Sequence, residues 1–161
     1  MEYSEIKELN TLLANLAVMN INVHNLHWNV VGPHFKNIHK MTEKFYKMLQ
    51  KQFDEVAEAM KMQQHQPLAS LTDYLEKATL TELESRDYNN YEVVEELLNG
   101  YKNLSELTLQ IRKKADKEDN FMIVNMMEDY LCSYAKINWM LKVINYEEDN
   151  NDDNLSEDDE D

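Results

Sequence analysis

The sequence predicts an all-α protein built from four long helices, and two observations carry that prediction. Turn-forming residues are scarce, because the 161 residues include only two glycines and two prolines. A sandwich or barrel of short strands needs frequent turns, so an all-β fold is excluded. In four separate segments, apolar residues recur at spacings of 3, 4 and 7, as in helices with one face on a core. With 43% apolar residues, a single domain of this length can bury a core.

The limits of the helices follow from caps and breakers. The four helices are expected to begin near Ser4, Asn37, Asn90 and Asn120. We expect Ser4 to be an N-cap, Gly32-Pro33 to end the first helix, and Pro67 to lie beyond the end of the second.

The connections predict the topology. A short link joins the first two helices, and Asp116–Asp119 joins the last two, so each pair forms an antiparallel hairpin. A longer segment, residues 64–89, separates the pairs and carries a short helical pattern at Leu71–Ala78. Two hairpins joined by one long crossover define a ferritin-like four-helix bundle rather than an up-down-up-down bundle.

Acidic residues dominate the charge. The formal net charge is −15, and ten of the acids lie in residues 147–161, which contain no base. That segment is too polar to fold alone, so we expect a folded domain over residues 1–146 and a disordered acidic tail over 147–161. DNA binding is disfavoured because affinity for phosphate backbones depends on Lys and Arg.

The cysteine content and the apolar runs bear on the compartment. The single cysteine, Cys132, cannot form an internal disulfide, and its apolar helical setting predicts a buried, inert thiol. No apolar run has the length of a membrane span, and the acidic N-terminus is unlike a signal peptide. We therefore expect a cytoplasmic protein with no membrane contact.

The histidines and several carboxylates form a sequence pattern that indicates a metal-binding site. All five histidines lie between residues 24 and 65, and the second helix also carries Glu43, Asp54 and Glu58. Imidazole with carboxylate is a ligand set suited to iron, with zinc and manganese as alternatives. No Glu-x-x-His motif is present, so a di-iron site inside the bundle is not expected.

The spacing predicts a site between two chains. His39, Glu43, Asp54 and Glu58 share one face of the second helix, but His39 and Glu58 are about 28 Å apart along it. If two copies pair antiparallel about a two-fold axis, residue 39 meets residue 58 and residue 43 meets residue 54. A symmetric dimer would then build two identical sites, each with histidines from one chain and carboxylates from the other.

Simpler interpretations stay open at this point. Asp54 and Glu58 are flanked by Lys51 and Lys61, as on an ordinary solvated helix face with salt bridges. His39 could be a helix cap, and His27 could be a core histidine with satisfied hydrogen bonds.

The stretch His24–Gly32, followed by Phe35, Ile38-His39 and the run Asp54–Glu58, resembles the signature of the Dps family. These "DNA-binding proteins from starved cells" are miniferritins of the ferritin-like superfamily. The resemblance extends from about Ser4 to Tyr146 and leaves out the tail.

The resemblance implies a hollow homo-dodecamer with ferroxidase activity. Fe²⁺ would be oxidised, preferably by hydrogen peroxide, and stored as ferric mineral, which protects the cell against oxidative stress. By position, the implied iron ligands and catalytic residues are His27 and His39 of one subunit with Asp54 and Glu58 of its two-fold mate. Glu43 is a further ligand candidate, although the family usually has the shorter Asp there.

The resemblance also implies supporting residues. Trp28 and Tyr46 are candidate electron donors, with simple packing as the alternative. Family members line three-fold pores with acids at the start of the fourth helix. The matching stretch offers the pore candidates Asp116, Glu118 and Asp119, whereas Phe121 and Asn125 stand where acids are expected.

Other functions remain at this stage. One is a dodecameric shell or scaffold with weak catalysis, and another is a plain helical interaction protein. The tail either keeps the cage soluble or collects Fe²⁺ near a pore. The acidic ends argue against the DNA binding that the family name promises.

Overall fold

A computed structural model describes residues 4–153, apart from the side chains of Asn145 and residues 147–153. The elements in chain order are α1 (Ile6–Asn29), β1 (Val30–Val31), α2 (Phe35–Met62), α3 (Leu71–Lys77), β2 (Tyr88–Asn89), α4 (Asn90–Lys117) and α5 (Phe121–Asp153). The four long helices, two hairpins and crossover helix confirm the predicted fold class.

The ends of α1 differ from the prediction. Glu5, not Ser4, occupies the N-cap position, and the Ser4 backbone N–H instead donates to Glu118 Oε2 at 3.0 Å. At its other end α1 stops before Gly32, because Val30–Val31 pairs in parallel with Tyr88–Asn89. Gly32 then turns the chain with a φ of +120°, a backbone conformation that only glycine adopts without strain.

Buried apolar faces of the long helices form one core. Two predictions from the sequence concern α5: the burial of Cys132 and the domain boundary at residue 146. Cys132 is exposed, contrary to the prediction. The reason is geometric: Cys132 lies about 200° around α5 from the buried Tyr130. Helix α5 continues to Asp153, past the expected domain boundary at residue 146. Residues 154–161 lie outside the described part of the chain, so the disordered tail stays a prediction.

A row of asparagines on α1, hereafter the asparagine row, holds the crossover against the bundle. Its members are Asn10, Asn15, Asn22 and Asn25, and each one hydrogen-bonds to crossover backbone within residues 68–84. Asn15 is fully buried, and its Oδ1 accepts from the backbone N–H groups of Thr79 (2.8 Å) and Leu80 (3.2 Å). Because side-chain amides replace missing backbone partners, a long segment whose only helix is the short α3 can lie on the bundle.

Across residues 4–153, none of the helices is both long and apolar enough to span a membrane.

Candidate metal centre

His27 near the end of α1 and His39 near the start of α2 meet across the first hairpin. His27 Nδ1 lies 2.8 Å from the His39 carbonyl oxygen, and His39 Nδ1 lies 2.8 Å from the His27 carbonyl oxygen. The two rings stack with centroids 3.7 Å apart and planes 17° apart. The hairpin therefore holds both imidazoles in one fixed arrangement.

These reciprocal hydrogen bonds determine where the ring protons lie. A carbonyl oxygen only accepts, so each Nδ1 must carry a proton, and in the neutral ring Nε2 then keeps its lone pair. Within the described residues, neither Nε2 has a hydrogen-bond partner. Burial lowers the pKa of His27, although its bond to the His39 carbonyl acts in the opposite direction, and the net lowering favours the neutral ring. Both rings thus have the tautomer that binds a metal through Nε2, oriented by carbonyl partners as metal-ligating histidines usually are.

Thr42 completes this arrangement, and sequence reasoning missed it. Its hydroxyl, one turn after Ile38, lies 2.8 Å from the Ile38 carbonyl and 3.0 Å from both the His39 carbonyl and His27 Nδ1. Threonine inside a helix often bonds a carbonyl of the preceding turn, so the residue type alone gave no signal of a role beside a ligand.

Glu43 lies one turn after His39 and already has a partner. It forms an ion pair with Lys47, whose hydrogen bond and charge lower the pKa of the Glu43 carboxyl. Both side chains are substantially exposed, so the pair is weak and does not fix the carboxylate. Glu43 therefore stays a secondary candidate ligand beside the histidines.

Asp54 and Glu58 are exposed on α2 and lack the ion pairs that the simpler interpretation requires. Lys51 pairs instead with Glu55 at 3.3 Å, and Lys61 donates to Gln66. Among the described residues, neither the Asp54 nor the Glu58 carboxylate has a hydrogen bond or an ion pair. Two carboxylates one turn apart are thus left without a partner from the described part of their own chain.

The structure does not bring the histidines and these acids together within one chain. His39 and Asp54 are fifteen residues apart on the same helix, about 22 Å at 1.5 Å per residue. In the described ranges, no three His, Cys, Asp or Glu side chains are placed to hold a metal ion. Within the described residues, the predicted ligand set is therefore not brought together in one chain.

Aromatic side chains surround the histidine pair. Tyr46 stacks on His24 with centroids 4.0 Å apart and meets the edge of His27 at 5.2 Å. Trp28 lies 5.4 Å from His24 but is 67% exposed, so its ring is not packed within this chain. Tyr46 contacts a histidine of the pair directly, whereas Trp28 reaches it through His24.

The acids proposed for a pore lie in and around the α4–α5 turn, but two of them already have an ion-pair or hydrogen-bond partner. Asp116 pairs with Arg112 at 3.0 Å, and Glu118 accepts the Ser4 backbone N–H. Asp119 has a φ of +54° and forms the turn itself. Phe121, the next candidate position, is 65% exposed.

The helical architecture defines a ferritin-like bundle. The Ferritin family, described as a ferritin-like domain, matches residues 6–146. A Dps protein of Vibrio cholerae O1 has a crystal structure similar to this chain, with a TM-score of 0.81 and 29% identity over 84% of this chain and 85% of that one. That protein is described as a member of a broad superfamily of ferritin-like diiron-carboxylate proteins.

Closer family membership follows from two further relatives. The DNA protection during starvation protein of Helicobacter pylori is 32% identical over 134 residues, which cover 83% of this chain and 93% of that relative. Dps from Staphylococcus aureus has a TM-score of 0.84 and 29% identity over 90% of this chain and 98% of that one. The chain belongs to the Dps family, as its sequence signature predicted.

Proposed function

We propose that this protein is a Dps-type miniferritin that oxidises Fe²⁺, preferably with hydrogen peroxide, at sites between two-fold related subunits. The ferric product is stored inside a hollow dodecamer, which protects the cell from iron and peroxide together. Fe²⁺ is here both substrate and cargo.

One observation carries the proposal: two imidazoles have free Nε2 atoms at the α1–α2 hairpin, and two carboxylates further along α2 have no partner among the described residues. An antiparallel pairing of two α2 helices brings residues 39 and 58 together, and likewise residues 43 and 54. Such a pairing supplies the carboxylates that one chain lacks, and two-fold symmetry makes two equal sites. The same registry leaves Glu43 near Asp54, where it can act as a further ligand.

The ligand types explain the direction of the chemistry. Neutral imidazoles bind Fe²⁺, whereas hard carboxylate oxygens favour Fe³⁺ and so help oxidation. The small ligand set leaves coordination positions for the oxidant and lets the product leave for the mineral. Tyr46 and Trp28, beside the histidine pair, are candidate electron donors in this scheme.

The test measures the assembly size and the iron-oxidation activity of the same sample. The purified protein is loaded with Fe²⁺ without oxygen, hydrogen peroxide is added, and ferric absorbance is followed on the size-exclusion peak. A peak near twelve subunits that forms ferric mineral faster than buffer supports the proposal. A dodecamer no faster than buffer would leave only a shell, and a monomer would contradict the inter-subunit site.

We also expect this protein not to bind DNA at physiological salt. The reason is its net charge of −15, because phosphate backbones attract Lys and Arg and repel acids. Gel retardation of supercoiled DNA in magnesium-free buffer measures this directly. A chain ending at Tyr146 is the control for the acidic tail and should also leave DNA unshifted; retardation by the full chain would contradict the expectation.

A further inference from the structure

Three tyrosines lie together in the core where α5 packs against α2 and α4. The ring centroids of Tyr101 and Tyr134 are 5.6 Å apart, and those of Tyr130 and Tyr134 are 6.4 Å apart. All three side chains are buried. They do not contact the histidine pair, and the proposed function makes no use of them.

Their hydroxyl groups have different partners. Tyr130 donates to Glu55 Oε2 at 2.8 Å, and Tyr134 donates to the amide oxygen of Gln52 at 2.8 Å. The Tyr101 hydroxyl is buried without a partner in the described part of the chain. A phenol that loses an electron must also release its proton, and a carboxylate within hydrogen-bond distance can take it. A neutral amide cannot, so Tyr130 is the phenol of the three placed to give up both.

Glu55 connects Tyr130 to the acid half of the proposed site. It directly follows Asp54 on α2, so their Cα atoms are about 3.8 Å apart. Lys51 Nζ lies 3.3 Å from the other oxygen of Glu55, and Oε2 is the oxygen that accepts from Tyr130. Tyr46 and Trp28 lie on the histidine half, so Tyr130 occupies the side of the site that they do not reach.

We propose that Tyr130 donates the second electron to hydrogen peroxide when a site holds only one Fe²⁺, an inference that rests on the proposed function. Peroxide needs two electrons and two protons to become two waters, and one Fe²⁺ supplies one electron. Without a second donor, the one-electron product is a hydroxyl radical. Tyr130 supplies the missing electron and becomes a neutral phenoxyl radical.

The protons and electrons balance in this step. The O–H bond of Tyr130 breaks, its proton passes along the hydrogen bond to the Glu55 carboxylate, and its electron goes to peroxide. Fe²⁺ is oxidised to Fe³⁺, the O–O bond breaks, and two waters form with two protons from solvent, while the phenol proton stays on Glu55. The phenoxyl radical then lies in the core, separated from solvent.

The test uses the full-length protein with Trp28→Phe and Tyr46→Phe, so that donors on the histidine side are removed. One Fe²⁺ per subunit is bound without oxygen, excess peroxide is added, and the mixture is frozen for electron paramagnetic resonance with ring-deuterated tyrosine. Hydroxyl radical in solution is measured in parallel by spin trapping. Tyr130→Phe is compared with Tyr134→Phe, a matched control that also removes one buried, hydrogen-bonded phenol.

We expect a tyrosyl signal in the parent and in Tyr134→Phe, and its loss with a rise in trapped hydroxyl radical in Tyr130→Phe. Ferric absorbance with two Fe²⁺ per subunit should be equal in all three, which shows that the sites remain intact. An undiminished signal in Tyr130→Phe, or an equal loss in Tyr134→Phe, would overturn this inference alone. If the protein without any of these substitutions oxidises no iron, the proposed function is overturned and this inference with it.

Discussion

Replacing both unpartnered acids with their amides, Asp54→Asn with Glu58→Gln, should slow Fe²⁺ oxidation by roughly 100-fold, or to the rate in protein-free buffer. The substitutions keep the shape of both side chains and remove two hard, charged oxygen ligands. Since both residues are exposed and have no described partner, folding should be nearly unaffected, by about 0.5 kcal/mol or less. Initial rates of ferric absorbance after peroxide addition measure the effect.

A control with the same change of charge separates ligation from general electrostatics. Asp87→Asn with Glu106→Gln also removes two exposed negative charges, away from α2. This control should oxidise iron at the parent rate. If the Asp54 and Glu58 variant kept that rate as well, these acids would not be iron ligands.

The second large effect is on stability: Asn15→Ala should lower the free energy of unfolding by about 3 kcal/mol. The substitution removes the acceptor of two crossover N–H groups and leaves them, with Asn103 Oδ1, without that partner. Buried polar groups without partners are costly, and the crossover would detach from α1.

Chemical denaturation at one fixed subunit concentration measures this loss, since assembly also contributes to apparent stability. The exposed Asn99, on α4, gives the matched control Asn99→Ala, which should change stability by about 0.5 kcal/mol or less. Equal stability of the two variants would show that the asparagine row does not hold the crossover.

Periodicity predicted the long helices because each buries one apolar face. The expected start of α4 near Asn90 is confirmed, and there Asn89 and Glu92 form reciprocal capping hydrogen bonds. Reasoning from the sequence failed where contacts between distant parts of the chain determine the structure. The strands β1 and β2 have two residues each, too few for a periodic signal. Asparagine is usually taken as a turn or cap residue, so the asparagine row inside α1 was not predicted.

The candidate site was predictable in residue type but not in geometry. The spacing along α2 identified His39, Asp54 and Glu58 because helical rise and rotation are fixed. The reciprocal hydrogen bonds between His27 and His39 depend on how the α1–α2 hairpin closes. The spacing of residues along the chain does not specify that geometry. For the same reason, the sequence could not exclude that Asp54 and Glu58 form ion pairs on a solvated helix face. In the structure, the neighbouring Lys51 pairs with Glu55 instead.

Complementation between two inactive chains tests the inter-subunit site most directly. One chain carries His27→Asn with His39→Asn, the other Asp54→Asn with Glu58→Gln, and the two are co-expressed with different tags and purified together. Each chain alone should be inactive. In random mixtures half of the dimers are mixed, and each mixed dimer has one intact site, so iron oxidation should return to about a quarter of the parent rate. Mixed assemblies as inactive as either chain alone would contradict a site shared between subunits.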